Sequence, residues 1–359
     1  MSTILDLVTR TGTPKRPSAV EPIICRVEVI TPMFLAGADQ HDIAHELLRV
    51  PSLRGMLRWW WRVAQATEST ADLLADEGRI WGNLPTKDIP HPPRGIVIRS
   101  TPVAGPKTQP IRGITGSAEY YLSYALGGTK GATTGNLSES RPGFSPGQNA
   151  TVELLAHTPA QRVAAEQALE LLCGFGGLGS RNRRTWGSLA LRTIDGRTIA
   201  APLAPNDVQT HLTTLLSRVP AQARSGGKDL RTNLGRGTRV ETAPCAMTHS
   251  QLLDTVHAIF KGPEKLHKEA WCFGLPHTKG KRAEKDGPQW VKRRASPILV
   301  KATRLGDDRY ALSALLTDGA FLDFIGHETD ARAFQLQRER LTTFMERIKE
   351  CDRPMKVGR

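Results

Sequence analysis

The sequence predicts an α+β protein of two domains. Segments of alternating β-branched residues, such as Ile23 to Ile30, indicate strands, and helical segments such as Pro159 to Cys173 are interspersed among them. A length of 359 residues fits two domains. We expect a flexible N-terminal arm at residues 1–20, an N-terminal domain at 21–195 and a C-terminal domain with a terminal helix at 196–359.

Composition and cysteine spacing argue against several protein classes. The hydrophobic fraction is 39%, and no apolar run reaches the length of a membrane span. The five cysteines are scattered with no Cys-x-x-Cys pair, which argues against a disulfide framework and a cysteine-rich zinc site. The first residues lack the apolar core of a signal peptide, so we expect a cytoplasmic protein. A formal net charge of +14 favours a polyanionic partner.

The first helix carries regularly spaced arginines. The segment PSLRGMLRWWWR is expected to begin with Ser52 as its N-cap and to bury Trp60 among its apolar neighbours, with Trp61 on the flank of the polar face. Three arginines stack on that polar face at four-residue spacing, namely Arg54, Arg58 and Arg62. Like charges at this spacing repel one another. We therefore expect something negative opposite them, either acidic residues elsewhere in the chain or a run of phosphates.

The rest of the N-terminal domain alternates between helices and strands. A helix is expected at Leu73–Trp81, and strands at Gly95–Thr101 and Thr151–Ala156. Residues 129–148 are rich in glycine, serine, threonine and proline, which predicts a long surface loop. Pro159 opens the next helix, because proline is accepted in a first helical turn.

A glycine-rich segment, GFGGLGSRNRRTWGSLAL, runs from Gly174 to Leu191. Its start matches the pattern G-x-G-x-x-G, but a dinucleotide site needs a strand before the glycines and a helix after them. Here a helix precedes them and Ser188–Thr193 reads as a strand, which argues against a Rossmann site. Glycines let a backbone approach a ligand, and adjacent N–H groups can bind an anion. Because three arginines follow at once, we favour phosphate or nucleic-acid contact over a purely structural turn.

The C-terminal half mixes helices, a hairpin and a basic segment. Helices are expected at Leu203–Arg218 and Ser250–Phe260, with Ser250 as an N-cap, and a terminal helix at Thr329–Lys349. The alternating segments Ile298–Thr303 and Arg309–Leu316 predict a hairpin. Residues 220–239 read as a loop rich in glycine and arginine. Residues 275–294 are strongly basic, and we weigh a solvated loop equally with a segment that follows a nucleic-acid strand.

Three separated segments carry a resemblance to a known family. They are TPMFLAGADQ (Thr31–Gln40) followed by ELLRVPSLRGMLRWWWR (Glu46–Arg62), the glycine-rich segment, and RRASPILVKATRLGDDRYAL (Arg293–Leu312). Together with the element order, residues 23–194 resemble the RAMP superfamily, and in particular the first RAMP subunit of type III-B, or Cmr-type, CRISPR effector complexes. Residues 40–45 depart from the family pattern, so no role is carried over to them.

The resemblance implies two tandem ferredoxin-like (RRM-like) domains with glycine-rich and inserted loops. It implies a non-catalytic, RNA-binding subunit of an antiviral ribonucleoprotein, without cofactor or metal. The implied partners are the 3′ region of the guide RNA, the target RNA and neighbouring RAMP subunits at one end of the complex. The candidate RNA-binding residues come from the arginine helix, the glycine-rich segment and the basic segment: Arg54, Arg58, Arg62, Gly176, Gly177, Gly179, Arg181, Arg183, Arg184, Lys279, Lys281, Lys292, Arg293 and Arg294.

Two other functions stay open at the level of sequence. The first is a RAMP endoribonuclease that processes guide-RNA precursors, with His41 or His45 as general base. Each of these histidines is followed by an acidic residue, but no second cluster completes a metal shell or an acid–base pair. The second is a structural scaffold in which Trp59 or Trp61 anchors a neighbouring subunit.

Overall fold

The computed structural model describes residues 21–39, 43, 45, 47–67, 69–85, 87, 90–110, 118, 122, 142–220, 232–262, 266, 272–273, 296–306, 308–318 and 331–356. The expected arm, most of the expected loop at 129–148 and the basic segment up to Arg294 lie outside these residues, as does His41.

The N-terminal half is built from strands and helices in alternation, as expected. Its described strands are β1 (Ile23–Val29), β2 (Val97–Pro102), β3 (Thr108–Pro110), β4 (Pro142–Phe144), β5 (Asn149–Leu155), β6 (Leu189–Ile194) and β7 (Arg197–Thr198). Its described helices are α1 (Val50–Ala64), α2 (Thr70–Trp81) and α3 (Pro159–Phe175). The strand and helix predictions at 23–30, 95–101, 151–156 and 159–173 are therefore confirmed to within a few residues.

Five of these strands form an antiparallel sheet in the order β2-β5-β1-β6-β7. Alternate residues of β1, Ile23, Cys25 and Val27, are buried on the face that α1 and α3 cover. The sheet extends to Thr198, just past the expected boundary at residue 195, and the domain division itself stays a prediction.

The C-terminal half contains a smaller antiparallel sheet. Its described elements are α4 (Pro205–Ser217), β8 (Arg239–Thr242), α5 (His249–Lys261), β9 (Ile298–Arg304), β10 (Tyr310–Leu316) and α6 (Ala331–Lys349). The sheet order is β8-β10-β9, and β9 and β10 form the expected hairpin. The sequence analysis missed β8, because its four residues adjoin a stretch rich in glycine and arginine.

Two helix starts differ from the predictions. Helix α1 begins at Val50, and Arg49 is its N-cap residue without a side-chain hydrogen bond, so Ser52 lies inside the first turn. Helix α5 is capped by Thr248, whose hydroxyl accepts a hydrogen bond from the Gln251 N–H while the Gln251 side chain bonds back to the cap. This reciprocal pair satisfies two backbone N–H groups at the start of the helix, whereas a cap at Ser250 alone would satisfy one.

Candidate nucleic-acid interface

The apolar side of α1 anchors the N-terminal core. Leu53, Leu57 and Trp60 are completely or almost completely buried, which confirms the predicted inward face. Trp60 stacks on Phe175 at the end of α3, with ring centroids 6.1 Å apart. Trp61, which the sequence places on the flank of the polar face, is also buried and only 5% exposed. With Trp60 and Trp61 both buried, the buried side of the helix is wider than the arc of apolar residues around Trp60.

Two of the stacked arginines share one carboxylate within the protein. The Nε of Arg58 and the Nη1 of Arg62 each lie 2.6 Å from the same oxygen, Oε1 of Glu77. Glu77 belongs to α2 and is buried, whereas both arginine side chains keep about a third of their surface exposed. The intramolecular carboxylate that the sequence analysis weighed against phosphates is therefore present for these two arginines. Each guanidinium still has N–H groups that reach the surface.

The third arginine is different. Within the described residues, Arg54 has no ion pair or hydrogen bond, and it is half-buried. Arg54 and Arg58 line a surface groove of about 710 Å³. Its other wall is formed by residues 81–84 and 95–97, where Leu84 is 84% exposed. One unpaired and one partly neutralised guanidinium therefore face an open groove that is otherwise mostly apolar.

The glycine-rich segment needs its glycines for internal packing. Gly179 has a φ of +88°, and a Cβ there would lie 2.4 Å from the carbonyl oxygen of Phe34. Gly187 has a φ of +61°, and a Cβ would lie 2.0 Å from the carbonyl oxygen of Leu178. A Cβ on Gly176 would lie 2.7 Å from the indole nitrogen of Trp60. These close approaches explain the glycines without a ligand.

The same segment is clamped by strand β9 of the C-terminal half. The Thr185 N–H donates to the carbonyl oxygen of Val300 at 2.8 Å, and the Val300 N–H donates to that of Arg183 at 3.0 Å. Thr185 is a β-branched residue with a φ of +72°. Its carbonyl oxygen also accepts hydrogen bonds from the hydroxyls of Thr31 and Ser188, which hold this sparsely populated conformation.

A buried lysine completes the clamp. The Nζ of Lys301 donates to the carbonyl oxygens of Gly176 at 2.9 Å and Leu189 at 2.8 Å. Burial lowers the pKa of Lys301 to about 8, while Cys173 opposes that shift. Lys301 thus joins the start of the glycine-rich segment to β6.

Arg183 is mainly a structural contact. Its guanidinium carbon lies 5.0 Å from the ring centroid of Trp59, and its Nη1 donates to the carbonyl oxygen of Ser296. Burial lowers the pKa of Arg183 to about 10, so it remains charged at neutral pH. It links α1, the glycine-rich segment and the C-terminal half.

Among the described residues, the groove beside Arg54 and Arg58 is separate from the glycine-rich segment. The glycine-rich segment contacts α1 through Met56, Trp59 and Trp60, whereas Arg54 and Arg58 line a groove that includes none of its residues. At about 100° per residue, Met56 and Trp59 lie on a different side of the helix from Arg58. Arg181 and Arg184 are half-buried residues of the segment. The five candidate residues of the basic segment lie outside the described residues: Lys279, Lys281, Lys292, Arg293 and Arg294.

The face of the large sheet opposite α1 and α3 offers no stacking platform over β1, β2 and β5. Its outward residues are aliphatic, charged or hydroxylic: Ile24, Arg26, Glu28, Val97, Arg99, Thr101, Asn149, Thr151, Glu153 and Leu155. RRM-type sheets bind bases through aromatic side chains on this face. This part of the sheet therefore lacks the aromatic side chains on which an RRM-type sheet stacks bases.

The described residues contain no group of three or more His, Cys, Asp or Glu side chains able to hold a metal ion. His45 is exposed, whereas Asp42 and Glu46 lie outside the described range. None of the helices described is long and apolar enough to cross a membrane.

Sequence reasoning missed Glu77 and Lys301, although each leaves a signal. Glu77 lies four residues from both Leu73 and Trp81, so it falls on the buried side of α2. A carboxylate in that position needs a cationic partner. Lys301 interrupts the strand ILVKATR, in which the three residues before it and the one after it are aliphatic.

Comparisons with known proteins agree with this architecture. Residues 26–190 match the family model of the RAMP superfamily. The chain is similar to Cmr1 from Pyrococcus furiosus in its apo form, with 17% identity, a TM-score of 0.59, and coverage of 90% of this chain and 97% of that one. It is also similar to a chain of the type III-B Cmr-beta complex bound to cognate target RNA, with 10% identity, a TM-score of 0.56, and coverage of 90% and 99%.

A second Cmr-beta structure, bound to target RNA and AMPPnP in the presence of single-stranded DNA, matches with 10% identity, a TM-score of 0.53, and coverage of 90% and 99%. At these identities the likeness shows the fold. A search among curated proteins gives no significant match. The resemblance to the RAMP superfamily that the sequence suggested is confirmed for residues 26–190.

Proposed function

With residues 26–190 matching the RAMP superfamily, we propose that this chain is a non-catalytic RNA-binding subunit of a type III-B CRISPR ribonucleoprotein. It binds the 3′ region of the guide RNA and the target RNA at one end of the complex, beside other RAMP subunits. The likeness to Cmr1 and to Cmr-beta chains in RNA-bound complexes supports this assignment.

The observation that carries the proposal is Arg54 beside the groove, where no ion pair or hydrogen bond to another described residue engages it. An unpaired guanidinium at a groove wall has N–H groups free for a phosphate oxygen, and Arg58 adds a second set. The net charge of +14 supplies long-range attraction for a polyanion. The basic segment with Lys279, Lys281, Lys292, Arg293 and Arg294 adds further phosphate contacts.

The strand orders support a tandem ferredoxin-like architecture. The order β-α-β-β-α-β is met by β1, α1, β2, β5, α3 and β6, if the insertions are set aside. Their sheet order is β2-β5-β1-β6. The C-terminal half repeats part of this order. There β10 lies between β8 and β9, just as β5 lies between β1 and β2 in the N-terminal half.

An RNA titration at several salt concentrations tests RNA binding. We expect log affinity to fall against log salt with a slope of about −0.7 per phosphate contact, with little preference for base sequence. The triple variant Lys292→Ala/Arg293→Ala/Arg294→Ala should reduce the slope. Salt-independent binding, or no binding by the full chain and by its assembled complex, contradicts the proposal.

The non-catalytic assignment has a separate test. His41→Ala and His45→Ala should leave target-RNA cleavage by the assembled complex unchanged, and the purified chain should not cleave guide-RNA precursors without metal. Loss of cleavage with assembly intact would instead support the endoribonuclease alternative.

A scaffold function is the second candidate, and a specific patch favours it. Val97, Leu155 and Ile24 form a partly exposed apolar strip across three strands, since Val97 pairs with Leu155 and Ile24 pairs with the neighbouring Glu153. Trp59 and Trp61 do not favour it, because Trp61 is buried and Trp59 lies beneath Arg183. Assembly of the complex lost in Ile24→Glu but not in Arg54→Ala would separate this function from RNA binding, because Ile24 belongs to the strip and does not line the groove.

A further inference from the structure

Two cysteines that are 106 positions apart in sequence meet in the C-terminal half. Cys245 lies in the connection between β8 and α5, and Cys351 follows the end of α6. The Cys245 thiol donates to the carbonyl oxygen of Cys351 at 3.1 Å, and each thiol is close enough to affect the pKa of the other. The Cys351 thiol lies 3.1 Å from the carbonyl oxygen of Arg353. The two sulfur atoms are therefore neighbours in the folded chain.

We propose that Cys245 and Cys351 form a reversible disulfide that ties the C-terminal segment to the connection before α5. The oxidant class is a small-molecule disulfide such as oxidised glutathione. The Cys245 thiolate attacks one sulfur of that disulfide and releases one small thiol, which leaves a mixed disulfide on Cys245. The Cys351 thiolate then attacks the Cys245 sulfur, forms the protein disulfide and releases the second small thiol. Each protein thiol gives up one proton, and each released thiolate takes one.

Exposure decides which cysteine reacts first. Of the five cysteines, all of which are described, Cys245 is half-buried and the other four are buried. An external disulfide can therefore reach the Cys245 sulfur, whereas Cys351 needs only to reach its neighbour. The order of attack follows from access rather than from intrinsic reactivity.

Burial also sets the speed of the reaction. Desolvation raises the pKa of Cys245, and it raises that of Cys351 to about 12. Because the thiolate is the attacking species, both steps are slow at neutral pH and accelerate as the pH rises. The pair should withstand a brief exposure to oxidant and close during a prolonged one.

Two buried cysteines of the N-terminal half provide an internal comparison. Cys25 on β1 and Cys173 on α3 belong to the same core, and burial raises the pKa of each to about 12. Both lie inside the N-terminal core, where an external disulfide has no access without unfolding. Selective closure of the other pair is therefore a consequence of exposure.

The cross-link would restrain a large part of the C-terminal half. The chain between the two cysteines contains α5, the β9–β10 hairpin and α6. The segment after Cys351 already contacts α5, because the Met355 N–H donates to the Thr255 hydroxyl at 3.0 Å. A disulfide that closes such a long loop restricts the unfolded chain strongly and should raise the melting temperature by roughly 5 °C.

Prolonged incubation of the full chain with oxidised glutathione at mildly alkaline pH tests this inference. We expect the folded protein to lose the mass of two hydrogen atoms, peptide mapping to locate a Cys245–Cys351 link, and dithiothreitol to reverse both changes. Cys351→Ser should accumulate a glutathione adduct on Cys245, and Cys245→Ser should form no link. Cys272→Ser is the matched control, because Cys272 is a buried cysteine of the same half, and this variant should form the Cys245–Cys351 link like the natural chain.

Three results would overturn the proposal. They are a glutathione adduct that persists on Cys245 of the natural chain, a link between Cys25 and Cys173 instead, and no mass change after long incubation. A link without a higher melting temperature would contradict the restraint of the C-terminal half. None of these readouts depends on RNA, so they are independent of the proposed function.

Discussion

The Nζ of Lys301 lies 2.9 Å from the carbonyl oxygen of Gly176, although the two residues are 125 positions apart. A lysine of the C-terminal half therefore holds the start of the glycine-rich segment in the N-terminal half. Both of its acceptors are backbone carbonyl oxygens, which carry no full charge, and burial consequently lowers the pKa of Lys301 to about 8. This contact makes the position of the segment dependent on the packing of both halves.

Lys301→Met should change how stability depends on pH. The pKa of Lys301 is about 8 in the folded chain and 10.5 ordinarily, so the unfolded chain binds more protons between these values. Stability from this group therefore rises from pH 8 to 10.5 and is flat below pH 8, with a slope of at most about 1.4 kcal/mol per pH unit. Urea unfolding of both proteins across this range measures the difference.

The other titrating groups contribute equally to the stability of the natural chain and of Lys301→Met, so their contributions cancel in the difference. Cys173, whose pKa burial raises to about 12, stays protonated in the folded state through this window in both proteins. If the two stability curves run parallel, Lys301 does not titrate as the geometry requires.

Gly179→Ala should destabilise the protein, whereas Gly55→Ala should not. Alanine at 179 must adopt a φ of +88° and place its Cβ 2.4 Å from a backbone oxygen, so we expect a loss of about 2 kcal/mol or more. Gly55 is exposed on α1 with nothing within 4 Å of a Cβ, and alanine there should stabilise by about 0.5–1 kcal/mol. Thermal melts of the pair test this, and equal melting temperatures would contradict it.

Trp60→Ala and Arg54→Ala should affect stability and binding separately. Trp60 is completely buried, so its truncation should cost about 3–5 kcal/mol. Arg54→Ala should change stability by about 0.5 kcal/mol or less. It should weaken RNA binding, and the loss should shrink as salt screens the interaction. Thermal melts measure the stability of both variants, and RNA titrations measure their affinity.

Arg99→Ala is the matched control for Arg54, because Arg99 is a well-exposed arginine on the open face of the sheet. It should keep the RNA affinity of the natural chain. An equal loss in both variants would show that only the net charge matters, and not the groove.

Glu77→Gln should release two arginines. The variant removes the charge that neutralises Arg58 and Arg62, and we expect a stability loss of about 1–3 kcal/mol. RNA affinity per folded molecule should increase, because both guanidinium groups become available to phosphates. Denaturant unfolding and RNA titration together separate the two effects.

Asp76→Asn provides the comparison for Glu77, since its ion pair with Arg79 is exposed and should contribute little. If Glu77→Gln leaves RNA affinity unchanged while Arg54→Ala lowers it, Arg58 and Arg62 are purely structural. If neither variant changes affinity, the groove is not the RNA site.

The elements whose signals are local could be predicted from the sequence alone. The alternation in β1, the proline at the start of α3 and the hairpin of β9 and β10 depend on neighbouring residues, and each was predictable to within a few positions. The buried side of α1 around Trp60 follows from helical periodicity. The family resemblance likewise rests on short segments that can be read directly.

Which charges meet depends on the fold, because no local pattern specifies it. Glu77 lies 15 and 19 positions from Arg62 and Arg58, and Lys301 lies 125 positions from Gly176. Such contacts form when packing removes water from a buried charge and leaves suitable partners within reach. Helical spacing places Arg54, Arg58 and Arg62 on one face, whereas folding pairs Arg58 and Arg62 with Glu77, places Arg183 on Trp59 and leaves Arg54 without a partner among the described residues.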